Sequence, residues 1–289
     1  MVNINTNYGA LFAAKAARQA SSGLDSAMEK LSTGSRINYA KDDAAGQAIA
    51  TRLTAEIQGL QMASRNAADA QSMLDTAEGA LSESTSVLLR MRELSVQASN
   101  GTLSSSDNEA LDAEFQQLVS ELTRIAENTT FAGTNLLNGS FAGTTANPAL
   151  QFQIGEGSGQ TISVSIAAMD ATALSLFDAT TAAPTVNTLV DILDATNAQA
   201  ALTDVDAAIE TVSTARGNLG AVSNRLDSTM NNLDQVAVNL SASRGRVEDA
   251  DFAVETGNLA KNQILQQAAT AMLAQANASK GSVMALLQG

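Results

Sequence analysis

Few residues in this 289-residue sequence are placed to do chemistry. Asp42 and Asp43, beside Lys41, form a carboxylate pair of the kind that can transfer protons. Gly155 to Gly159 is a glycine-rich run, but it lacks the Lys and the following helix of a phosphate-binding loop. The absence of His and Cys excludes Ser-His-Asp and Cys-His catalysis and removes the usual transition-metal ligands. We therefore predict a chain that is not an enzyme and needs no cofactor or metal.

The charge balance narrows the possible partners. Sixteen Lys and Arg stand against 30 Asp and Glu, a formal net charge of −14. Such a chain is repelled by nucleic acid and by anionic membranes, and no run of about 20 apolar residues is present to span a bilayer. No Lys or Arg occurs between Arg124 and Arg216, and this acidic interval indicates a solvated face or, alternatively, a cation-binding loop. We predict no nucleic-acid partner and no membrane partner.

The elements that carry these residues are predicted to be long helices. The only prolines, Pro148 and Pro184, delimit two long proline-free arms, and helix interiors exclude proline. Leu60, Leu74 and Leu88 belong to an apolar series that recurs every seven residues, which predicts a helix over about 44–99. The small residues between them are typical of a coiled-coil seam.

Other helices and one hairpin complete the pattern. A second helix is predicted to start at a cap formed by Ser106 or Asp107. A third lies beyond Pro184, a fourth runs from Asp251 to the end, and an amphipathic stretch lies near the N-terminus. Residues 151–154 and 162–166 alternate as strands do, which predicts a β-hairpin in the short middle of the chain.

Blocks of residues near both ends resemble bacterial flagellins. The strongest runs from Ala40 to Ala50 (AKDDAAGQAIA), and the order of the blocks matches the family throughout. The resemblance covers roughly residues 1–140 and 200–289. The matching blocks are residues 4–7, 31–38, 40–50, 91–98, 219–221, 248–252, 263–268 and 273–277.

The resemblance implies a mainly α fold of long antiparallel helices that form a coiled-coil-like rod, with one small β-hairpin region and the termini paired as a helical core domain. The interval 141–199 leaves room for the hairpin and a linker but not for the outer domains of many flagellins. The implied divisions are 1–40 for the N-terminal part of the filament-core coiled coil, 41–180 for the N-terminal rod helices and hairpin, 181–250 for the long C-terminal rod helix, and 251–289 for the C-terminal part of the coiled coil.

The resemblance also implies which residues act in assembly. Apolar residues of the two terminal stretches would form the filament core: Leu11, Leu24, Met28, Leu31, Leu259, Ile264, Leu265, Met272 and Leu273. Five polar residues would form the connector between core and rod: Asn38, Lys41, Asp42, Asp43 and Gln47. We expect apolar surface left over after the termini pair to contact other subunits.

Three further residues match a recognition site of the family. Arg90, Leu94 and Glu114 coincide with residues through which recognised flagellins contact the innate immune Toll-like receptor 5. The alternative is that Arg90 and Glu114 make ordinary contacts on a helix surface while Leu94 belongs to an assembly face.

The function implied by the resemblance is a structural subunit that self-assembles into the helical filament of the bacterial flagellum, located outside the cell. No secretory signal of the cleaved type is visible, so the residues alone favour the cytoplasm unless export uses another route. The resemblance supplies that route, the flagellar type III export apparatus with a chaperone, and adds the filament cap and hook-associated proteins as partners. The alternatives are a minor or hook-junction subunit and a cell-surface polysaccharide-binding receptor or adhesin.

Overall fold

Five long helices account for most of the chain, so the prediction of a mainly α class is confirmed. The computed structural model describes residues 6–178 and 188–288. The division predicted between residues 180 and 181, and Pro184, lie outside the described residues. The helices are α1 (Tyr8–Thr33), α2 (Ala44–Ala98), α3 (Ser105–Asn128), α4 (Ala195–Glu248) and α5 (Phe252–Gln288).

Among the described residues between α3 and α4, three short antiparallel pairs of strands are present. The pair β3 (Leu150–Gln153) and β4 (Thr161–Val164) is the hairpin expected from the alternating residues, and Phe152 lies opposite Ile162. Two further pairs were not predicted, because each strand is only two residues long. They are β1 (Thr130–Phe131) with β2 (Thr134–Asn135) and β5 (Phe177–Asp178) with β6 (Thr188–Leu189).

The start of α3 differs from the prediction. Its N-cap is Ser104, not Ser106 or Asp107. The Ser104 hydroxyl oxygen accepts a hydrogen bond from the backbone N–H of Asp107 at 3.3 Å, and the Asp107 carboxylate accepts one from the backbone N–H of Ser104 at 3.0 Å. This reciprocal capping box satisfies two N–H groups that a helix start leaves unpaired. Asp107 is therefore the third residue of the helix, and its side chain takes part in the capping box although Ser104 is the N-cap residue.

The chain folds as two compact units. The terminal unit comprises residues 1–57 and 238–289, and the middle unit comprises residues 58–237. The middle unit has a continuous apolar core in which the heptad leucines of α2, such as Leu81 and Leu88, pack with Phe115 and Leu122 of α3. Strand residue Ile162 joins the same core. The middle unit therefore has a core of its own.

Polar side chains hold α2 and α4 in antiparallel register within the middle unit. The contacting positions on α2 are separated by seven or fourteen residues, which is the spacing of one face of a coiled-coil helix. Each step towards the C-terminus of α2 is matched by a step towards the N-terminus of α4. The contacts are Ser64 with Asp234 (3.3 Å), Gln71 with Ser223 (2.6 Å), Glu78 with Arg216 (2.7 Å) and Arg92 with Asp206 (2.6 Å).

Candidate functional site

Helices α1 and α5 pack against each other in antiparallel orientation through a seam of alanines. The amide of Asn7 donates to the carbonyl of Ala276 at 3.1 Å at one end, and Lys30 pairs with the nearly buried Glu255 at 3.4 Å towards the other. A Cβ atom at Gly23 would lie only 2.8 Å from the Asn262 side chain, so the backbones approach closely there. The buried seam residues are Ala13, Ala20, Ala27 and Ala269.

The large apolar side chains predicted on these two helices are exposed or only half-buried. Of the nine residues predicted to form the assembly core, none is buried in the free chain. Leu24, Leu31, Leu259 and Leu273 are half-buried, whereas Leu11, Met28, Ile264, Leu265 and Met272 are exposed. Large exposed apolar residues in this number indicate a site of protein interaction.

Exposed aromatic residues extend this surface and were absent from the predicted set. They are Tyr8 and Phe12 on α1 and Phe252 on α5. Phe12 directly follows Leu11 in a chain that has only 3% aromatic residues. An aromatic residue beside an amphipathic stripe is the signal that could have identified it.

The predicted connector residues lie between α1 and α2 and at the start of α2, where their roles are structural. The Asp42 carboxylate accepts hydrogen bonds from the backbone N–H groups of Asn38 (3.3 Å) and Tyr39 (3.1 Å). Asp43 caps α2 by accepting from the N–H of Gly46 at 2.9 Å, and its carbonyl accepts from the N–H of Gln47 at 3.0 Å. Both carboxylates of the pair are thus used to hold a turn and a helix start.

The remaining connector contacts fasten the same segment to the C-terminal arm. The backbone N–H of Arg36 donates to the carbonyl of Glu248 at 2.6 Å, and that of Ala250 donates to the carbonyl of Gly34 at 2.9 Å.

The Lys41 ammonium lies 4.8 Å from the centre of the Tyr39 ring. A hydrogen bond to Glu29 and the negative charge of that carboxylate raise the pKa of Tyr39.

The described part of the chain holds neither a cluster of metal ligands nor a helix suited to a membrane. Within residues 6–178 and 188–288, no three His, Cys, Asp or Glu side chains come together as metal ligands. No helix in that part of the chain combines the length and apolarity needed to cross a bilayer.

Arg90 is the centre of an exposed ion-pair cluster in the middle unit. Its Nε and Nη2 donate to one carboxylate oxygen of Glu114 at 3.0 and 2.8 Å, and its Nη1 donates to Glu93 at 3.0 Å. These hydrogen bonds, with Glu114 contributing most, raise the pKa of Arg90. Leu89 next to it is also exposed. The surface therefore presents a fixed guanidinium between two carboxylates with an apolar neighbour.

Leu94, the third predicted recognition residue, lies elsewhere. Its side chain is only 1% exposed and belongs to the apolar core of the middle unit. It cannot touch a partner without leaving that core. The structure thus brings Arg90 and Glu114 together on the surface and separates Leu94 from them.

Charge is divided unevenly between the two units. The middle unit contains six Arg, no Lys and 21 Asp and Glu, a formal charge of −15. The terminal unit contains ten Lys and Arg and nine Asp and Glu, a formal charge of +1. The apolar surface of the terminal unit therefore lies on a nearly neutral body, which favours association, while the middle unit is strongly acidic.

Comparison with known proteins adds independent findings. Residues 4–142 match the family model described as the bacterial flagellin N-terminal helical region. Residues 202–287 match the model of the bacterial flagellin C-terminal helical region. The two matches include α1, α2 and α3 on one side and most of α4 and α5 on the other.

Individual relatives cover nearly the whole chain. A flagellin of Halalkalibacterium halodurans is 42% identical over 262 residues, 91% of each chain. The flagellar filament 33 kDa core protein of Treponema phagedenis is 39% identical over 289 residues, 99% of each chain. The solved structure of a putative flagellar hook-associated protein from Vibrio parahaemolyticus has a TM-score of 0.57 at 15% identity, covering 72% of this chain and 100% of that one. That last likeness concerns the fold alone.

Proposed function

This chain belongs to the bacterial flagellin family, and on that premise we propose that the outward apolar faces of α1 and α5 carry the contacts that build its filament. The chain is a structural subunit that self-assembles into the helical filament of the flagellum, outside the cell, where it serves motility. The proposal concerns which of its surfaces make the contacts between subunits. We also retain the division into a filament core, residues 1–40 and 251–289, and a rod, residues 41–250, as part of the proposal.

The observation that carries the proposal is the arrangement of the terminal pair, in which alanines are buried while the large apolar residues are exposed or half-buried. An isolated pair of helices would gain more free energy by burying its leucines than its alanines. The observed arrangement leaves Leu11, Ile264 and Met272 in water. Burial against a second copy removes this cost, and a contact that joins different patches of successive copies yields an open helical filament.

Electron microscopy of seeded chain tests this proposal. We expect filaments from the full chain and none from a variant that lacks residues 1–35 and 255–289. The middle unit has its own core, so circular dichroism should show that the truncated chain still folds. Filaments from the truncated chain would refute the proposal. A well-folded full chain that never polymerises would favour a minor or hook-junction subunit, or a surface-binding role.

We further propose that the free chain is recognised by Toll-like receptor 5 through Arg90 and Glu114. The proposal is supported by the relative orientation of the two side chains, because two hydrogen bonds hold the Arg90 guanidinium against the Glu114 carboxylate on an exposed surface. Such a pair presents fixed donors and acceptors to a partner at low entropic cost. In this proposal Leu94 acts through the core that supports α2 beneath Arg90, not by contact.

A receptor-reporter cell assay with purified free chain tests recognition. We expect Arg90→Ala and Glu114→Ala each to lower potency by about tenfold, the loss of one charge-assisted contact. Arg124→Ala is the matched control, because Arg124 is also exposed and paired, with Glu121 at 2.5 Å. No response to the unmodified chain, or an equal loss in the control, would refute the proposal.

The other partners follow from membership of the family. We propose that the chain leaves the cell through the flagellar export apparatus and that a chaperone covers α5 before export. The support is the exposed apolar face of α5, which would otherwise associate in the cytoplasm. Contacts with the filament cap and hook-associated proteins are proposed on the family relationship alone. Co-purification of the full chain, but not of a chain ending before residue 255, with the chaperone would support this.

A further inference from the structure

Exposure separates six of the methionines into two classes, and a seventh, Met230, is half-buried. Met28 on α1 and Met272 on α5 are 54% and 63% exposed, and both lie on the apolar faces described above. Met62 on α2 is 50% exposed but belongs to the middle unit. Met73, Met91 and Met169 are buried in the core of that unit. Oxidation of a thioether follows its access to solvent, so the first three are open to an oxidant and the last three are not.

We propose that Met28 and Met272 are sites of reversible oxidation by hydroperoxides, and that their oxidation stops addition of new subunits to the filament. The thioether sulfur attacks one oxygen of hydrogen peroxide, the O–O bond breaks, and an S–O bond forms. The sulfur loses two electrons to the peroxide, and the departing hydroxide takes the proton from the new S–OH group, which leaves a sulfoxide and one water molecule. Each event adds one oxygen atom to the chain and changes a flexible apolar side chain into a polar sulfoxide.

The effect of oxidation on assembly depends on whether the sulfoxide becomes buried in a contact between subunits. This inference rests on the proposed assembly role of the outward faces of α1 and α5. A sulfoxide oxygen buried in such an apolar contact loses its hydrogen bonds to water without replacement. Met62 has no such role in the proposal, so its oxidation leaves assembly unchanged.

The same arrangement makes oxidation act on free subunits but not on subunits already in the filament. In the free subunit both sulfurs are open to solvent, whereas in the filament they are covered by neighbouring copies. An oxidant therefore blocks subunits that have not yet been incorporated and spares those already in place. Oxidised subunits remain repairable, because methionine sulfoxide reductases reverse the modification.

Measurement of the critical concentration after peroxide treatment tests the inference. Full chain is oxidised as free subunit and as filament, and peptide mass spectrometry locates the added oxygen atoms. We expect modification of Met28, Met62 and Met272 in the free subunit, protection of Met28 and Met272 in the filament, and a critical concentration raised at least tenfold by oxidation of the free subunit. Treatment with both stereospecific reductases should restore the original value.

The control is the double variant Met28→Leu and Met272→Leu, with every other methionine kept. Leu cannot form a sulfoxide, so the critical concentration of this variant should be the same before and after peroxide treatment, each preparation being compared with its own untreated value. Peroxide sensitivity of the double variant, or unchanged assembly of a chain oxidised at both sites, would overturn the inference. If unoxidised full chain formed no filaments through its termini, the proposed function itself would fail, and that outcome is separate from these two.

Discussion

Truncation of Ile264 measures how much free energy an outward apolar residue contributes to the filament. Full burial of an Ile side chain stabilises by about 1.5–3 kcal/mol. Because Ile264 is 66% exposed in the free chain, a contact that covers it gains about 1–2 kcal/mol per subunit on the same scale. Ile264→Ala gives up most of this gain. We expect the critical concentration to rise about five- to twentyfold, since about 1.4 kcal/mol corresponds to a factor of ten.

The assay is the concentration of unpolymerised chain that remains in equilibrium with seeded filaments. Ile264→Val removes one methylene and should raise this concentration by only about threefold. Leu89→Ala is the matched control, because Leu89 is also exposed but lies in the middle unit. Helix content of the free chain should stay constant in all three, since no buried atom is removed. An unchanged critical concentration for Ile264→Ala, or an equal rise for Leu89→Ala, would refute the reasoning.

Three other predictions concern charge, capping and the core. The acidic middle units should repel one another in a filament, so raising salt from about 0.01 M to about 0.15 M, which shortens the Debye length from roughly 30 to 8 Å, should lower the critical concentration; no change would contradict this. Ser104→Ala should lower the free energy of unfolding by about 1 kcal/mol in a denaturant titration. Hydrogen bonds from Ser104 lower the pKa of Asp107, so the stabilisation from the cap is fully present above the unfolded-state pKa of Asp107 and is lost as pH falls through the folded-state value. Ser104→Ala should therefore weaken the loss of stability in acid. An identical pH profile for the variant and the unmodified chain would contradict this prediction. Phe115→Ala should cost about 3–5 kcal/mol of unfolding free energy, measured by thermal or denaturant unfolding, because Phe115 is fully buried.

Much of the helical architecture could be predicted from two features of the sequence. Proline-free arms and a seven-residue apolar repeat placed α2 at about 44–99, and the structure has it at Ala44–Ala98. The helix ends shortly before Asn100-Gly101, in keeping with the frequent occurrence of glycine just after a helix end. The strands β1, β2, β5 and β6 were missed because two residues cannot display the alternation from which strands are recognised.

The sequence does not predict which distant segments of the chain contact one another. The amides of Asn108 and Gln116 on α3 donate to the carbonyls of Leu193 and Val190, at 3.2 and 2.9 Å, and Asp112 accepts from the N–H of Ile192 at 3.0 Å. These three side chains recur every four residues on α3. Their spacing indicates a polar face but not which backbone segment would pack on it, because that depends on the path of the whole chain.

The predicted assembly set shows a similar limit. An amphipathic helix rich in both Leu and Ala offers two stripes, and the sequence does not say which one faces the partner helix of the same chain. The structure places the alanines in the seam, because only small side chains let α1 and α5 approach as closely as they do at Gly23. Five of the nine larger residues are therefore exposed and four are half-buried, and their contact with other subunits stays a prediction.

The two units consequently depend on assembly to different degrees. A seam of alanines buries little apolar area, so the free energy that holds α1 against α5 is small compared with that of the leucine and phenylalanine core of the middle unit. The ordering of two long helices must be offset by contacts, and several large apolar residues able to make them are exposed in the free subunit. In the function proposed above, neighbouring copies bury these residues, so formation of the terminal pair and growth of the filament should stabilise each other. The middle unit, with its own core and a formal charge of −15, needs no such contact to stay folded and soluble.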